Sequence, residues 1–168
     1  MLTSDCKRTL YYSLVYPYLT YGLEVYGLSH FSVLKPLLIT CNRALRVLQN
    51  KPRDYPVTSL YANFNTLPMN LLFKYVLLIL VYRCMNISSA DSLPIVVKNM
   101  FVLNSNIHGH STRAQSNIHL FKNSCSNSLG SGTYLGSSLW NDMPLSLKNS
   151  RNLVAFKKNL KPYLLSIS

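Results

Sequence analysis

The chain has 168 residues, 48% of them hydrophobic, and its 17 Lys and Arg against 5 Asp and Glu give a formal charge of +12. This excludes a chain that is disordered throughout, which would bury too little apolar surface, and it favours polyanionic partners. The five acids, Asp5, Glu24, Asp54, Asp91 and Asp142, include no neighbouring pair, so chemistry that needs two adjacent carboxylates has no sequence support.

Asp5 is a candidate cap for a first helix running to about Tyr16. Pro17 is expected to stop that helix, because proline lacks an N–H and disfavours helix at the residue before it. Tyr11, Tyr12, Tyr16, Tyr18, Tyr21 and Tyr26 crowd the same region. Two roles are open to them: packing with hydroxyls at the surface, or stacking and hydrogen bonding to nucleic acid.

Ser32 is expected to cap the next helix, with Pro36 tolerated in its first turn. Leu34, Leu37, Leu38, Cys41, Leu45 and Leu48 recur at spacings of three and four, which makes one apolar stripe. Arg43 and Arg46 fall on another face, and Lys51 and Arg53 continue the positive charge into the following loop with no acid before Asp54. Helix faces in solvent usually mix signs. A face of one sign suits a phosphate footprint, and a plain solvated surface is the competing reading.

Pro56 predicts a short helix over Val57–Asn63, and Pro68 a long apolar one over Met69–Met85. Within the latter, Leu71–Tyr82 would span roughly 18 Å against about 30 Å of membrane hydrocarbon. Lys74 also interrupts it, so a buried core helix is the expectation. Asp91 and Pro94 mark a further start leading to Phe101.

Residues 104–138 are rich in Ser, Asn and Gly and predict a loop with short strands. His108, His110, Arg113, His119 and Cys125 lie here at irregular spacing, without the paired cysteines of a zinc site, so no metal is expected. Gly130, Gly132 and Gly136 read as turns beside those strands, and no Gly-Lys-Ser/Thr phosphate loop accompanies them. Trp140 is expected to anchor the tail to the core. Ser150 is the candidate cap of a last helix with Leu153, Phe156, Leu160 and Leu164 on one stripe and Arg151, Lys157, Lys158 and Lys161 as its positive charge. Cys6, Cys41, Cys84 and Cys125 include no C-x-x-C pair and read as reduced thiols of a cytoplasmic or nuclear protein. The fold class is therefore mainly α: a helical bundle over 1–103, the strand-and-loop insert over 104–138, and a C-terminal Trp-Asn motif and basic helix over 139–168.

Several phrases, in order, carry a resemblance. They are Leu14-Val-Tyr-Pro-Tyr-Leu-Thr-Tyr-Gly22, Asn42-Arg-Ala-Leu-Arg-Val-Leu48, Leu67-Pro-Met69, His108-Gly-His-Ser-Thr-Arg113, Gly136-Ser-Ser-Leu-Trp-Asn-Asp-Met-Pro144 and Phe156-Lys-Lys-Asn-Leu-Lys161. Together they resemble the carboxy-terminal part of LINE-type (non-LTR) retrotransposon reverse transcriptases, especially the Jockey-like and chicken-repeat-like groups. The chain differs in having Tyr26 where the family commonly has Trp, and in lacking the Cys/His knuckle that some members carry.

The resemblance implies a thumb-like helical region and its extension, without the palm whose adjacent aspartates hold two metal ions. It implies nucleic-acid binding without catalysis, no cofactor and no small-molecule substrate. The partners would be RNA, DNA or an RNA–DNA hybrid, together with the polymerase core of a parent protein. Three groups would contact phosphate: Arg43, Arg46, Lys51 and Arg53; His108, His110 and Arg113; and Lys157, Lys158 and Lys161. Two alternatives stand beside this reading: a structural remnant without a ligand, and a peripheral membrane protein using the apolar helix at 71–82.

Overall fold

A computed structural model describes residues 2–86, 93–109, 113–121 and 132–167. Among these the fold is mainly helical and contains no sheet. The chain divides into two compact units, Met1–Phe73 and Lys74–Ser168. The division falls between Phe73 and Lys74, inside a helix.

The first unit opens with α1 (Ser4–Leu10), a π-helical turn (Tyr11–Val15) and α2 (Tyr16–Thr20). Thr3, not Asp5, is the cap: its hydroxyl accepts from Cys6 N at 3.3 Å, and Asp5 lies in the first turn, where a negative charge suits the helix dipole. Pro17 does not stop the helical run. The π turn ends with Tyr16 N donating to Tyr11 O, and Pro17 then enters in the first turn of α2, where its missing N–H breaks no bond. The run ends instead at Tyr21 and Gly22. Gly22 has φ of +65°, a conformation that glycine adopts without a side-chain penalty, and α3 (Leu23–Tyr26) follows. Gly27 is required for a different reason: a Cβ there would collide with the Phe73 ring and the Leu23 carbonyl.

Next come α4 (Phe31–Gln49) and α5 (Val57–Asn63). His30 caps α4, its Nδ1 accepting from Ser32 N at 3.3 Å, so Ser32 is inside the helix rather than at its cap. Pro36 consequently lies deeper than the first turn. The expected stripe does face inward: Cys41 and Leu45 are buried, and Leu34, Leu37, Leu38 and Leu48 half-buried. The core of this unit joins Tyr11, Leu45, Leu60, Tyr61 and Phe64, with Tyr12, Val15, Tyr16, Leu48 and Tyr55 packed around it. Buried phenols need partners for their hydroxyls. Tyr11 Oη lies 3.3 Å from Thr66 Oγ1, Tyr12 donates to Asn65 O at 2.8 Å, and Tyr61 donates to Asn42 Oδ1 at 2.8 Å.

The long helix α6 (Met69–Met85) runs across the division between the units. Its apolar residues surround the whole circumference, the pattern of a helix buried on all sides. No residue from Leu71 to Met85 is exposed, and Leu71, Leu72, Leu77, Leu78, Val81 and Tyr82 are fully buried.

The second unit continues with α7 (Ile95–Lys98), a single 3-10 turn (Asn104–Asn106), α8 (Gly132–Asp142), α9 (Leu145–Lys148) and α10 (Leu153–Ser166). Asp91, a candidate start for α7, lies outside the described residues, and Pro94 is its cap position. Asn152 rather than Ser150 caps α10, its side-chain oxygen accepting from Ala155 N at 2.8 Å.

The short strands expected over 104–138 reduce, among the described residues, to one antiparallel bridge between Leu103 and Ile118. Asn104 N donates to Asn117 O at 2.9 Å and His119 N to Val102 O at 2.7 Å. The ladder extends no further past Leu103 because the 3-10 turn begins at Asn104, and the other edge of Ile118 is closed by a side chain. Ile118 N donates to Asn141 Oδ1 and Asn141 Nδ2 donates to Ile118 O, both at 2.9 Å. One side-chain amide thus stands in for a neighbouring strand and satisfies a backbone position that is almost wholly buried. Gly132 and Gly136 lie within α8 rather than in turns beside strands, and Gly130 is outside the described residues. Gly136 is buried, and a Cβ there would come within 3.1 Å of both Phe101 and Val81.

Trp140 is buried, as expected of an anchor, with its ring centroid 6.4 Å from Tyr82 and 6.2 Å from Phe156. Tyr82 and Phe156 stack at 4.2 Å with 19° between their planes, and Tyr82 donates to Ser150 O at 2.8 Å.

Candidate nucleic-acid interface

The first group of predicted residues lines a single groove. Its wall is the outer face of α4, carrying Ile39, Asn42, Arg43, Arg46 and Val47. These positions recur at i, i+3, i+4, i+7 and i+8, opposite the buried stripe of Cys41 and Leu45. Lys51 and Arg53 come from the loop that follows, and the groove is open to solvent with a volume of about 510 Å³.

The loop returns to the helix for local reasons. Asn50 ends α4 in the left-handed region with φ of 53°. Its N–H donates to Val47 O at 3.1 Å, and Lys51 N donates to Arg46 O at 2.9 Å, the paired bonds of a helix C-cap that reverses the chain. Two contacts then hold the returning segment. Arg46 Nη2 donates to Tyr55 O at 3.1 Å, and Lys51 Nζ stands 4.7 Å from the Tyr55 ring centroid.

The lining holds four cationic side chains and no carboxylate. Arg43, Lys51 and Arg53 are exposed, while Arg46 is half-buried and its Nε is shielded from solvent with no hydrogen-bond partner among the described residues. A charged donor left in that state is costly. The three exposed cations, Arg43, Lys51 and Arg53, suit an anion that supplies oxygen acceptors, and guanidinium groups match phosphate oxygens in pairs. Behind the groove, burial pushes the Tyr61 hydroxyl far above the usual phenol range, an effect that the Arg46 charge only partly offsets. Tyr61 therefore stays a neutral donor to Asn42.

The second group is not brought together in the same way. His108 and Arg113 are both exposed, and His110 lies outside the described residues. The neighbour of His108 is His119, with ring centroids 5.2 Å apart. His119 is itself fixed by Asn104 Oδ1, 2.9 Å from its Nδ1, and by the Phe121 ring at 4.7 Å. No group of three or more metal-ligating side chains occurs among the described residues.

The third group follows one helix. Phe156, Leu160 and Leu164 of α10 are buried, and Lys157 and Lys158 are exposed on the other side, with Lys161 half-buried. These cations follow one helix and are not joined by a returning loop.

Sequence reasoning missed Ile39 and Val47 as members of the first site. Their signal was present, since they share the helix face of Arg43 and Arg46. No helix among the described residues is long and apolar enough to cross a membrane. Compared with family models, curated proteins and solved structures, the chain matches none.

Proposed function

We propose that this chain is a nucleic-acid-binding region of a LINE-type reverse transcriptase, gripping RNA, DNA or their hybrid by its phosphates and contributing no catalytic residue of its own. One observation carries the reading: Arg43, Arg46, Lys51 and Arg53 converge on one groove with no carboxylate in its lining. The order of the family-like phrases along the sequence supports the assignment to that family. A cytoplasmic or nuclear location follows from the same reading. In this role each cation displaces counterions from the nucleic acid, giving affinity with little sequence discrimination. The membrane alternative loses its main support, because the helix it would use has no exposed residue from Leu71 onward.

The test is binding of a short RNA–DNA hybrid by the whole chain, titrated across salt. A straight log–log line is expected, at about −0.9 per phosphate neutralised for a duplex. Arg43→Ala with Arg46→Ala should weaken binding to all sequences and make the slope shallower, both by lost phosphate contacts and by release of the 51–55 segment that Arg46 holds at Tyr55 O, with helicity unchanged. Unchanged affinity in that variant would move the footprint elsewhere. Folded protein that binds no hybrid at any salt would remove the reading altogether.

A further inference from the structure

The six tyrosines from Tyr11 to Tyr26 divide into two sets. Tyr11 is buried, Tyr12 donates to Asn65 O, and Tyr16 packs between them, with ring centroids 6.3 Å and 5.2 Å away. Tyr26 donates to the Leu19 carbonyl. These four are committed to packing. Tyr18 and Tyr21 are not: they are 82% and 86% exposed, and with Pro17 they line a separate pocket of about 350 Å³.

The backbone explains why both project outward. Leu19 and Leu23 are buried, and the chain between them leaves the helix at Tyr21, with ψ of 113°, before the left-handed Gly22. A continuous helix would turn residue 21 to a different side. The break keeps Leu19 and Leu23 inward while two phenol rings and a pyrrolidine ring border one concavity.

We infer that the pocket of Pro17, Tyr18 and Tyr21 is a stacking platform for unpaired bases, so that the nucleic acid held by this unit is single-stranded where it crosses the pocket. The inference rests on the reading of the Arg43–Arg46 groove as a phosphate site in the same unit. Three observations select this occupant. The rings are flat aromatic faces with polar hydroxyls, which accept any base on one side and water on the other. The unit is basic, with Lys7, Arg8, Lys35, Arg43, Arg46, Lys51 and Arg53 against Asp5, Glu24 and Asp54, and so attracts a polyanion. It also already seats cations over tyrosine faces, Arg8 over Tyr12 at 5.9 Å and Lys51 over Tyr55 at 4.7 Å, the mixture of basic and aromatic surface that single strands use. A duplex, whose bases are stacked on one another, offers no base face to such a pocket.

The experiment compares a 12-nucleotide single strand carrying one 2-aminopurine with a blunt duplex of the same length, both titrated against the whole chain. Tyr18→Ala with Tyr21→Ala should lose roughly 5- to 150-fold in single-strand affinity for each stacked base, lose the quenching of 2-aminopurine, and leave duplex affinity unchanged. Tyr18→Phe with Tyr21→Phe should keep both affinity and quenching, since the π face remains. Both positions are highly exposed, so neither pair should disturb the fold. Wild-type single-strand affinity and quenching in the Ala variant would overturn the inference. So would an equal loss in Leu14→Ser with Val25→Ser, two exposed apolar residues of the same unit, which would make the binding a general apolar effect rather than stacking on Tyr18 and Tyr21. Capture of anionic phosphatidylserine vesicles that only the Ala variant loses, with oligonucleotide binding intact, would overturn it in favour of a membrane contact. The two readings fail separately. Loss in the Arg43/Arg46 variant alone removes the platform, loss in the Tyr18/Tyr21 variant alone removes the groove, and a wild-type chain that binds neither probe removes both.

Discussion

Both units of this chain are basic, yet they present their charge in different shapes. In the first, α4 and the loop after it bring Arg43, Arg46, Lys51 and Arg53 to one concave groove. In the second, Lys157, Lys158 and Lys161 follow the outer side of a single helix, α10. The same residue types therefore have different electrostatic reach. Charges on the solvent-facing side of a helix are screened by salt over about 10 Å at 0.1 M. Charges that meet in a cleft reinforce one another against a low-dielectric wall. What makes the cleft is chain reversal at Asn50, secured by Arg46 on Tyr55 O.

The cores differ as well. The first unit packs tyrosines whose hydroxyls are bonded to Thr66, Asn65 O and Asn42. The second packs an aromatic stack of Tyr82 and Phe156 beside Trp140, with one hydroxyl leaving the stack for Ser150 O. That contrast can be broken selectively. The largest effect is expected from Phe156→Ala, which removes a fully buried ring and leaves a cavity: about 3–5 kcal/mol of stability, read from denaturant melts. A loss below about 1 kcal/mol would mean that the stack closes around the gap and is not the centre of that core.

Asn141→Ala comes next. It strands the Ile118 N–H and C=O, and each unmet buried group costs about 1–3 kcal/mol. Hydrogen exchange at the Ile118 amide should accelerate as well. Asn141→Asp keeps the acceptor for Ile118 N and loses the donor to Ile118 O, so it should fall between wild type and the alanine variant. Equal exchange in all three would show that the amide does not carry the bridge.

The smallest effect sharpens the comparison through pH. Burial raises the Tyr11 and Tyr61 hydroxyls in the first unit above the usual phenol value, and raises Tyr82 in the second for the same reason. Unfolded tyrosines lose their protons near pH 10, before the folded ones do. The stabilisation is therefore fully present below about pH 10 and is lost as pH rises through the folded values. Tyr11→Phe with Tyr61→Phe should reduce the first unit's share of that alkaline fall and leave the shares due to Tyr26 and Tyr82, whose hydroxyls burial also raises. An unchanged pH profile would show that these two phenols are not neutral in the fold because of burial.

Much of the helical layout was legible because its causes are local. Pro56 and Pro68 set the starts of α5 and α6, since a residue with fixed φ and no N–H belongs at a helix entrance. The spacing of Leu34 to Leu48 fixed the inward side of α4, and with it the outward side that holds Arg43 and Arg46. The stripe from Phe156 to Leu164 did the same for α10, and the bulk of Trp140 marked it as core. These depend on residues within a turn or two of one another.

What only the tertiary structure decided depends on partners distant in sequence. Pro17 reads as a stop, but the π turn before it lets it start a new helix while Tyr11 reaches Thr66, 55 positions away. Glycines read as turns, yet Gly136 sits in a helix because Phe101 and Val81 come close to it. The strands expected in the Ser/Asn-rich segment give way to one bridge closed by Asn141, 23 positions from Ile118. The candidate site shows the same split. The sequence by itself determined that four cations would be available on α4 and just beyond it, because charge and helical period are local properties. Whether they diverged into water or met in one groove was decided by the contacts that fold residues 51–55 back along the helix.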